Sequence, residues 1–120
     1  VEPLPLVLFP HGCIYRKRMI YALESAGRSW RVAYHSQSLA GVQAAVAAGL
    51  GISLLPGFAC LPEHGVLGPE SGLAPAPRTE LAIVGGAGAA ADAALKNLVT
   101  VLAQAVGQDV QMPPRRRASA

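Results

Sequence analysis

The chain has 120 residues, 52% of them hydrophobic, and a formal net charge of +3. That length supports one domain with a modest core, and the apolar fraction is too high for a disordered chain. No apolar run reaches the ~20 residues that a membrane-spanning helix needs, so no membrane partner is expected. Three of the ten cations, Arg115, Arg116 and Arg117, stand together in the tail. The body is therefore near neutral, without the basic folded face of a nucleic-acid binder. The start, Val1-Glu2-Pro3-Leu4-Pro5, lacks an initiator Met and a basic n-region. It reads as a chain entered partway through, not as a signal peptide. Cys13 and Cys60 lie far apart with no C-x-x-C spacing, which favours a reducing, cytoplasmic setting over a disulfide framework.

Taken in chain order, Leu4 to Phe9 is a short apolar run ended by Pro10-His11-Gly12, and it predicts a buried strand. From Ile14 to Ala26, Tyr15, Met19, Ala22, Leu23 and Ala26 share a helical face, and Gly27 stands where a helix C-cap takes positive φ. Trp30 to Tyr34 is the next strand, with Trp30, Val32 and Tyr34 expected on one face. His35-Ser36-Gln37-Ser38 is a polar loop whose last residue is a good N-cap. Leu39, Val42, Gln43, Val46 and Leu50 follow at helical spacing, closed by Gly49 and Gly51. Ile52 to Leu55 reads as a strand covered on both faces. Strand–helix–strand–helix–strand with short connections predicts a parallel α/β sheet.

Residues 57–79 break that rhythm with Pro62, Pro69, Pro75 and Pro77, and carry at most a short strand near Val66-Leu67. Glu80 to Val84 predicts one more strand, and Gly85 to Gly88 a turn. Leu95, Leu98, Val99, Leu102 and Val106 mark an amphipathic helix. Residues 111–120 are expected to form a disordered basic tail.

Three constellations suggest chemistry, and each has a plainer explanation. Gly86-Ala87-Gly88-Ala89-Ala90-Ala91 matches G-x-G-x-x-A between an expected strand and an expected helix, the setting of a dinucleotide site. No strand leads to Asp109 as a ribose partner, so a turn of small residues is favoured and no cofactor is expected. His11-x-Cys13 and Cys60-x-x-x-His64 offer four zinc-type ligands. Their spacing fits no finger or ribbon, both cysteines suit buried positions, and no metal is expected. A Cys13 nucleophile with His11 or His35 as base has some logic, since a helix N-terminus favours a thiolate. Nothing supplies an orienting third group or an oxyanion hole, and no catalytic residue is assigned. Arg116-Arg117-Ala118-Ser119 has the form of a basophilic kinase site, a string that short tails produce by chance.

The topology itself nominates a site. In an open parallel sheet, ligands bind beyond the carboxyl ends of the strands. The loops there are Pro10-His11-Gly12-Cys13, His35-Ser36-Gln37-Ser38 and Pro56-Gly57. The first two open helices whose free N–H groups attract an anion, with hydroxyls, an amide and imidazoles beside them. The candidate ligand-binding residues are His11, Gly12, Cys13, His35, Ser36, Gln37, Ser38 and Pro56. Arg16, Lys17 and Arg18 add positive potential. Plain N-capping explains Ser38 equally well.

The stretch from Ser36 to Pro56, Ser-Gln-Ser-Leu-Ala-Gly-Val-Gln-Ala-Ala-Val-Ala-Ala-Gly-Leu-Gly-Ile-Ser-Leu-Leu-Pro, resembles the second lobe of the effector-binding domain of LysR-type transcriptional regulators. A loop, a helix ending A-A-G-x-G and a strand ending in Pro follow one another in that family. Leu6 to Cys13 and Ala26 to Val32 are similar too, and the likeness covers about residues 1–106. It implies a periplasmic-binding-protein-like (type II) fold, here incomplete, with the second lobe at 1–79. Residues 80–110 would be the return strand and C-terminal helix of the first lobe. The resemblance implies a small-molecule effector, a homo-oligomer, no enzyme activity, and DNA binding only through an N-terminal helix-turn-helix that these residues lack. It implies a subunit interface on Tyr15, Met19, Ile20, Tyr21, Arg31 and Ala33. Gly85-Gly86-Ala87-Gly88 departs from the more basic turn expected after the crossing strand. Two alternatives stay open: a piece of a solute-binding protein of the same superfamily, and a thiol- or metal-dependent enzyme.

Overall fold

The computed structural model describes residues 2–76, 78 and 92–108. Strand β1 (Leu4–Leu8) is almost entirely apolar, as befits a strand with both faces covered. Leu6, Val7 and Leu8 are 0%, 0% and 1% exposed. Leu6 and Leu8 join Met19 and Leu23 of helix α1 (Ile14–Ser25) in one core cluster. Val7 turns the other way, onto Val42 and Ala45 of helix α2 (Leu39–Ala47). Successive side chains point to opposite faces of a strand, so one strand serves two cores.

The two backbone edges of β1 are occupied as well. On one side it pairs in parallel with β2 (Trp30–His35). On the other, Val7 N–H donates to Ile52 O at 2.8 Å and Ile52 N–H to Pro5 O at 2.9 Å. The spatial order is therefore β2, β1, Ile52, all parallel. The expected strand Ile52–Leu55 is reduced to this one bridge. Pro5 has no N–H to extend the ladder backwards, and Pro10 and Pro56 end the apolar runs forwards. Ile52 and Leu54 still pack on the α1 side of the sheet, and Leu55 on the α2 side.

A second departure lies in β2. Leu6 pairs with Val32 but Val7 with Tyr34, so Ala33 is the extra residue of a bulge. A bulge breaks the alternation of a strand. Trp30 packs against the core as expected, whereas Val32 and Tyr34 are 47% and 42% exposed.

Both helices stop by the same device. Gly27 has φ +63°, its N–H reaches Glu24 O, and Arg28 N–H reaches Leu23 O at 2.9 Å. After α2, Gly49 has φ +77°, with its own N–H on Val46 O and that of Leu50 on Ala45 O. This paired bonding to the last carbonyls is the Schellman motif, which wants glycine at the left-handed position. The 57–76 segment carries 3-10 turns at Gly57–Ala59 and Pro69–Ser71 and a single bridge residue at Val66. Arg28 donates to Ser71 O at 3.3 Å, and Leu73 packs on the α1-side core.

Helix α3 (Ala93–Gln108) is capped by Asp92, whose carboxylate accepts the N–H groups of Ala94 and Leu95. The expected stripe is present and uncovered: Leu95, Leu98, Val99, Leu102 and Val106 are 41–51% exposed. The expected strand Glu80–Val84, the turn Gly85–Gly88, the Gly86–Ala91 motif and the 111–120 tail lie outside the described residues.

Gly51 shows how tightly the third segment is seated. A Cβ there would stand 2.9 Å from the carbonyl carbon of Pro5 and closer still to its oxygen. Backbone cannot step aside as a side-chain tip can. Gly51→Ala is expected to destabilise the fold by about 1–3 kcal/mol, as measured by urea unfolding of the chain. An unchanged midpoint would mean that Ile52 is not held against β1.

Candidate functional site at the carboxyl end of the sheet

Because β1 and β2 are parallel neighbours, the loops that follow them emerge side by side. One hydrogen bond fixes this: Ser36 N–H donates to Leu8 O at 3.1 Å. The loop after β1 turns tightly, with Cys13 N–H on Pro10 O at 3.2 Å, and enters α1. The loop after β2 enters α2. Two helix N-termini thus face the same end of the sheet, each with N–H groups that lack an intrahelical acceptor.

The two starts are built differently. Cys13 occupies the N-cap of α1 without a side-chain cap bond. Ser38 caps α2, accepting the Gly41 N–H at 3.3 Å, and Ser36 Oγ accepts the Ser38 N–H at 3.1 Å. Both serine oxygens therefore act as acceptors within the loop, which leaves each hydroxyl proton free to donate. Gln37 is exposed between them, and His11 and His35 are exposed at the ends of the two loops. Neither helix has an acidic residue in its first turn. Arg16 folds back to donate to Phe9 O at 3.0 Å, which brings a fixed cation to the end of β1. Its place in the first turn of α1 was the sequence signal for that role. The arrangement is electrostatically suited to an anion.

The chain also brings Pro56 to this end, but its carbonyl is engaged by Ala59 N–H and by the Cys60 thiol. Burial pushes the Cys60 thiol above its ordinary range, against a thiolate role. His64 is 6% exposed and uses both ring nitrogens. Nδ1 accepts Leu61 N–H at 3.0 Å, so Nε2 carries the proton and donates to Gln43 O at 2.9 Å. Gln43 in turn donates to Ala59 O at 2.7 Å. His64 is thus a clamp that ties residues 57–64 to α2. Among the described residues no group of three or more His, Cys, Asp or Glu is placed to hold a metal. Nor does a hydrogen bond join Cys13 to His11 or His35 among them.

Of the residues expected at a subunit interface, Tyr21 is 72% exposed and Arg31 is exposed. Tyr15 is half-buried with its ring centroid 6.3 Å from that of Phe9. Ile20 is half-buried against the α1-side core, and Ala33 is half-buried at the bulge. Met19 corrects the expectation. At 8% exposed it lies under Leu6 and Leu8, because it occupies the inward face of α1, and it offers nothing to a partner.

A raised thiol pKa means less thiolate at any pH below it. With Cys13→Ser leaving one thiol, iodoacetamide at pH 8 should alkylate Cys60 several-fold more slowly in the folded chain than in urea. Equal rates would show that the burial is not protective.

The chain matches the LysR substrate binding domain family over residues 1–107. It is also 37% identical over 78 residues to the HTH-type transcriptional regulator PecT of Dickeya dadantii (strain 3937). That alignment covers 65% of this chain and 25% of the relative, so the chain spans about a quarter of the length of the curated relative it matches. No helix among the described residues is long and apolar enough to cross a membrane. The family has the periplasmic-binding-protein-like type II fold, with which the parallel sheet flanked by α1 and α2 agrees. With its match extending from residue 1 to residue 107, the chain belongs to the LysR substrate binding domain family.

Proposed function

We propose that this chain is the effector-sensing part of a LysR-type transcriptional regulator. It takes a small anionic molecule at the loops 10–13 and 35–38, without catalysis, and DNA binding belongs to a helix-turn-helix elsewhere in the parent protein. The observation that carries this reading is the side-by-side placement of two helix N-termini with no acid in either first turn. Ser36 and Ser38 donate their hydroxyl protons to the anion, and His11 and Gln37 act as neutral donors. Residues 1–79 are the ligand lobe in this reading, and 80–110 the return strand and terminal helix of the other lobe. The parent is a homo-oligomer, and Tyr21 with Arg31 leads the surface offered to a second subunit.

Three outcomes follow. In the intact regulator, Ser36→Ala should weaken the effector response about tenfold or more, the cost of a hydrogen bond to a charged group, with little change in melting temperature. Ser38→Ala should lower both, since a lost N-cap costs ~1 kcal/mol of stability. If Ser36→Ala and His11→Ala both leave the response intact, these loops are connectors only. Tyr21→Asp should weaken dimerisation without unfolding the lobe, because Tyr21 has no core contact to lose. Ile20→Asp is a poorer probe, since it also disturbs the core. An unchanged dimer constant for Tyr21→Asp would remove the interface. Finally, the uncovered stripe on α3 drives association, and the isolated chain should self-associate in sedimentation. A clean monomer with slow amide exchange in α3 would contradict the two-lobe assignment.

A further inference from the structure

Among the described residues His64 is the one polar or charged residue that is buried, and the proposed site does not use it. Both of its ring bonds go to backbone: Nδ1 accepts the Leu61 N–H, and Nε2 donates to Gln43 O of α2. An imidazole does both at once only while neutral, with one nitrogen a donor and the other an acceptor. A second proton would go to Nδ1, where the lone pair already holds the Leu61 N–H. Two N–H groups would then face each other in a buried place, and Leu61 would have lost its acceptor. The new charge would have no partner there either. From Leu39 to Ala59 the sequence contains no ionisable side chain, so α2 offers the ring neither anion nor cation. On the ring's own segment stand Cys60, whose thiol is bonded to Pro56 O, and Glu63, which is exposed. Further on, the exposed Glu70 accepts the Gly68 N–H. A buried charge without a partner is strongly unfavourable.

We infer that His64 is a proton-operated latch: the neutral ring holds residues 60–64 against α2, and the protonated ring lets them go. The inference is independent of the ligand reading above. In the step itself a proton from water adds to the Nδ1 lone pair and the hydrogen bond from Leu61 breaks, with no covalent bond of the chain changed. Gln43 donates to Ala59 O at 2.7 Å through a side-chain amide that does not titrate. It keeps the near end of the segment on α2 and serves as the hinge. A histidine free in solution takes its proton at about pH 6.5. The closed latch admits only the neutral ring, so its hold is full above that pH and weakens as pH falls below it.

The test is amide exchange of the 120-residue chain at pH 7.5 and 5.5, each rate corrected to that of an unstructured peptide at the same pH. Protection at Leu61 should fall about tenfold between the two, the ratio set by one proton taken up on release. Protection at Val7, whose N–H is bonded to Ile52 O, should be unchanged, which separates release of the segment from general unfolding. In His64→Gln the fall at Leu61 should vanish. Joint replacement of the exposed His11 and His35 by Gln, and Glu63→Gln, should each leave it in place. Where His64→Gln does not fold, the unsubstituted chain still decides. The nitrogen shifts of the His64 ring and the amide shift of Leu61 should then change with one midpoint. Unchanged protection of Leu61 at pH 5.5, or an equal loss at Val7, overturns the latch. So does a pH effect that survives in His64→Gln or disappears in either control, and so does a protonated His64 ring with Leu61 still protected.

Discussion

The burial of β1 on every side is the constraint from which the rest follows. Its side chains fill one core with α1 and another with α2, while its backbone is bonded to β2 and to Ile52. Burying each such side chain is worth roughly 1.5–3 kcal/mol, and β1 has three in succession that are almost wholly buried. A strand held in this way fixes the direction of its neighbours. Parallel pairing with β2 then places the exits of both strands at one end of the sheet.

From that placement the electrostatics of the site are a consequence rather than an addition. A helix leaves each strand end within a few residues, so two sets of unpaired N–H groups and two positive dipole ends share one edge. The α2 start is the more organised, with Ser36 and Ser38 each accepting a backbone N–H. At the α1 start no side chain caps, and Arg16 supplies charge from the first turn. In the proposed reading the first start orients a ligand and the second attracts it.

Much of this was legible in the residues because the signals are local. Ser38 as a cap, Gly27 as a left-handed stop, and the apolar run of β1 each depend on a few neighbouring positions, and the structure has them as expected. What escaped depends on distant contacts. The bulge at Ala33 is a mismatch of register between strands some 25 residues apart, so the pattern Trp30, Val32, Tyr34 gave no sign of it. The third strand is reduced to a single bridge at Ile52, and Pro5 on its neighbour has no N–H to carry that ladder back towards Leu50. His64, whose spacing from Cys60 suggested a metal ligand, is occupied by Gln43 of α2, and only tertiary structure brings the two together. Met19 and Tyr21 lie two residues apart on α1 yet face opposite ways, one into the core and one to solvent.

The central claim is that an anion sits between the two loops at the carboxyl end of the sheet. The most direct measurement is a crystal structure of the chain with 4-bromobenzoate, its bromine located by anomalous scattering. The account predicts the carboxylate within hydrogen-bonding distance of Ser36 and Ser38, with its ring directed away from α2. A carboxylate bound instead in the groove between α1 and residues 72–75, with the loops empty at saturating ligand, would contradict it.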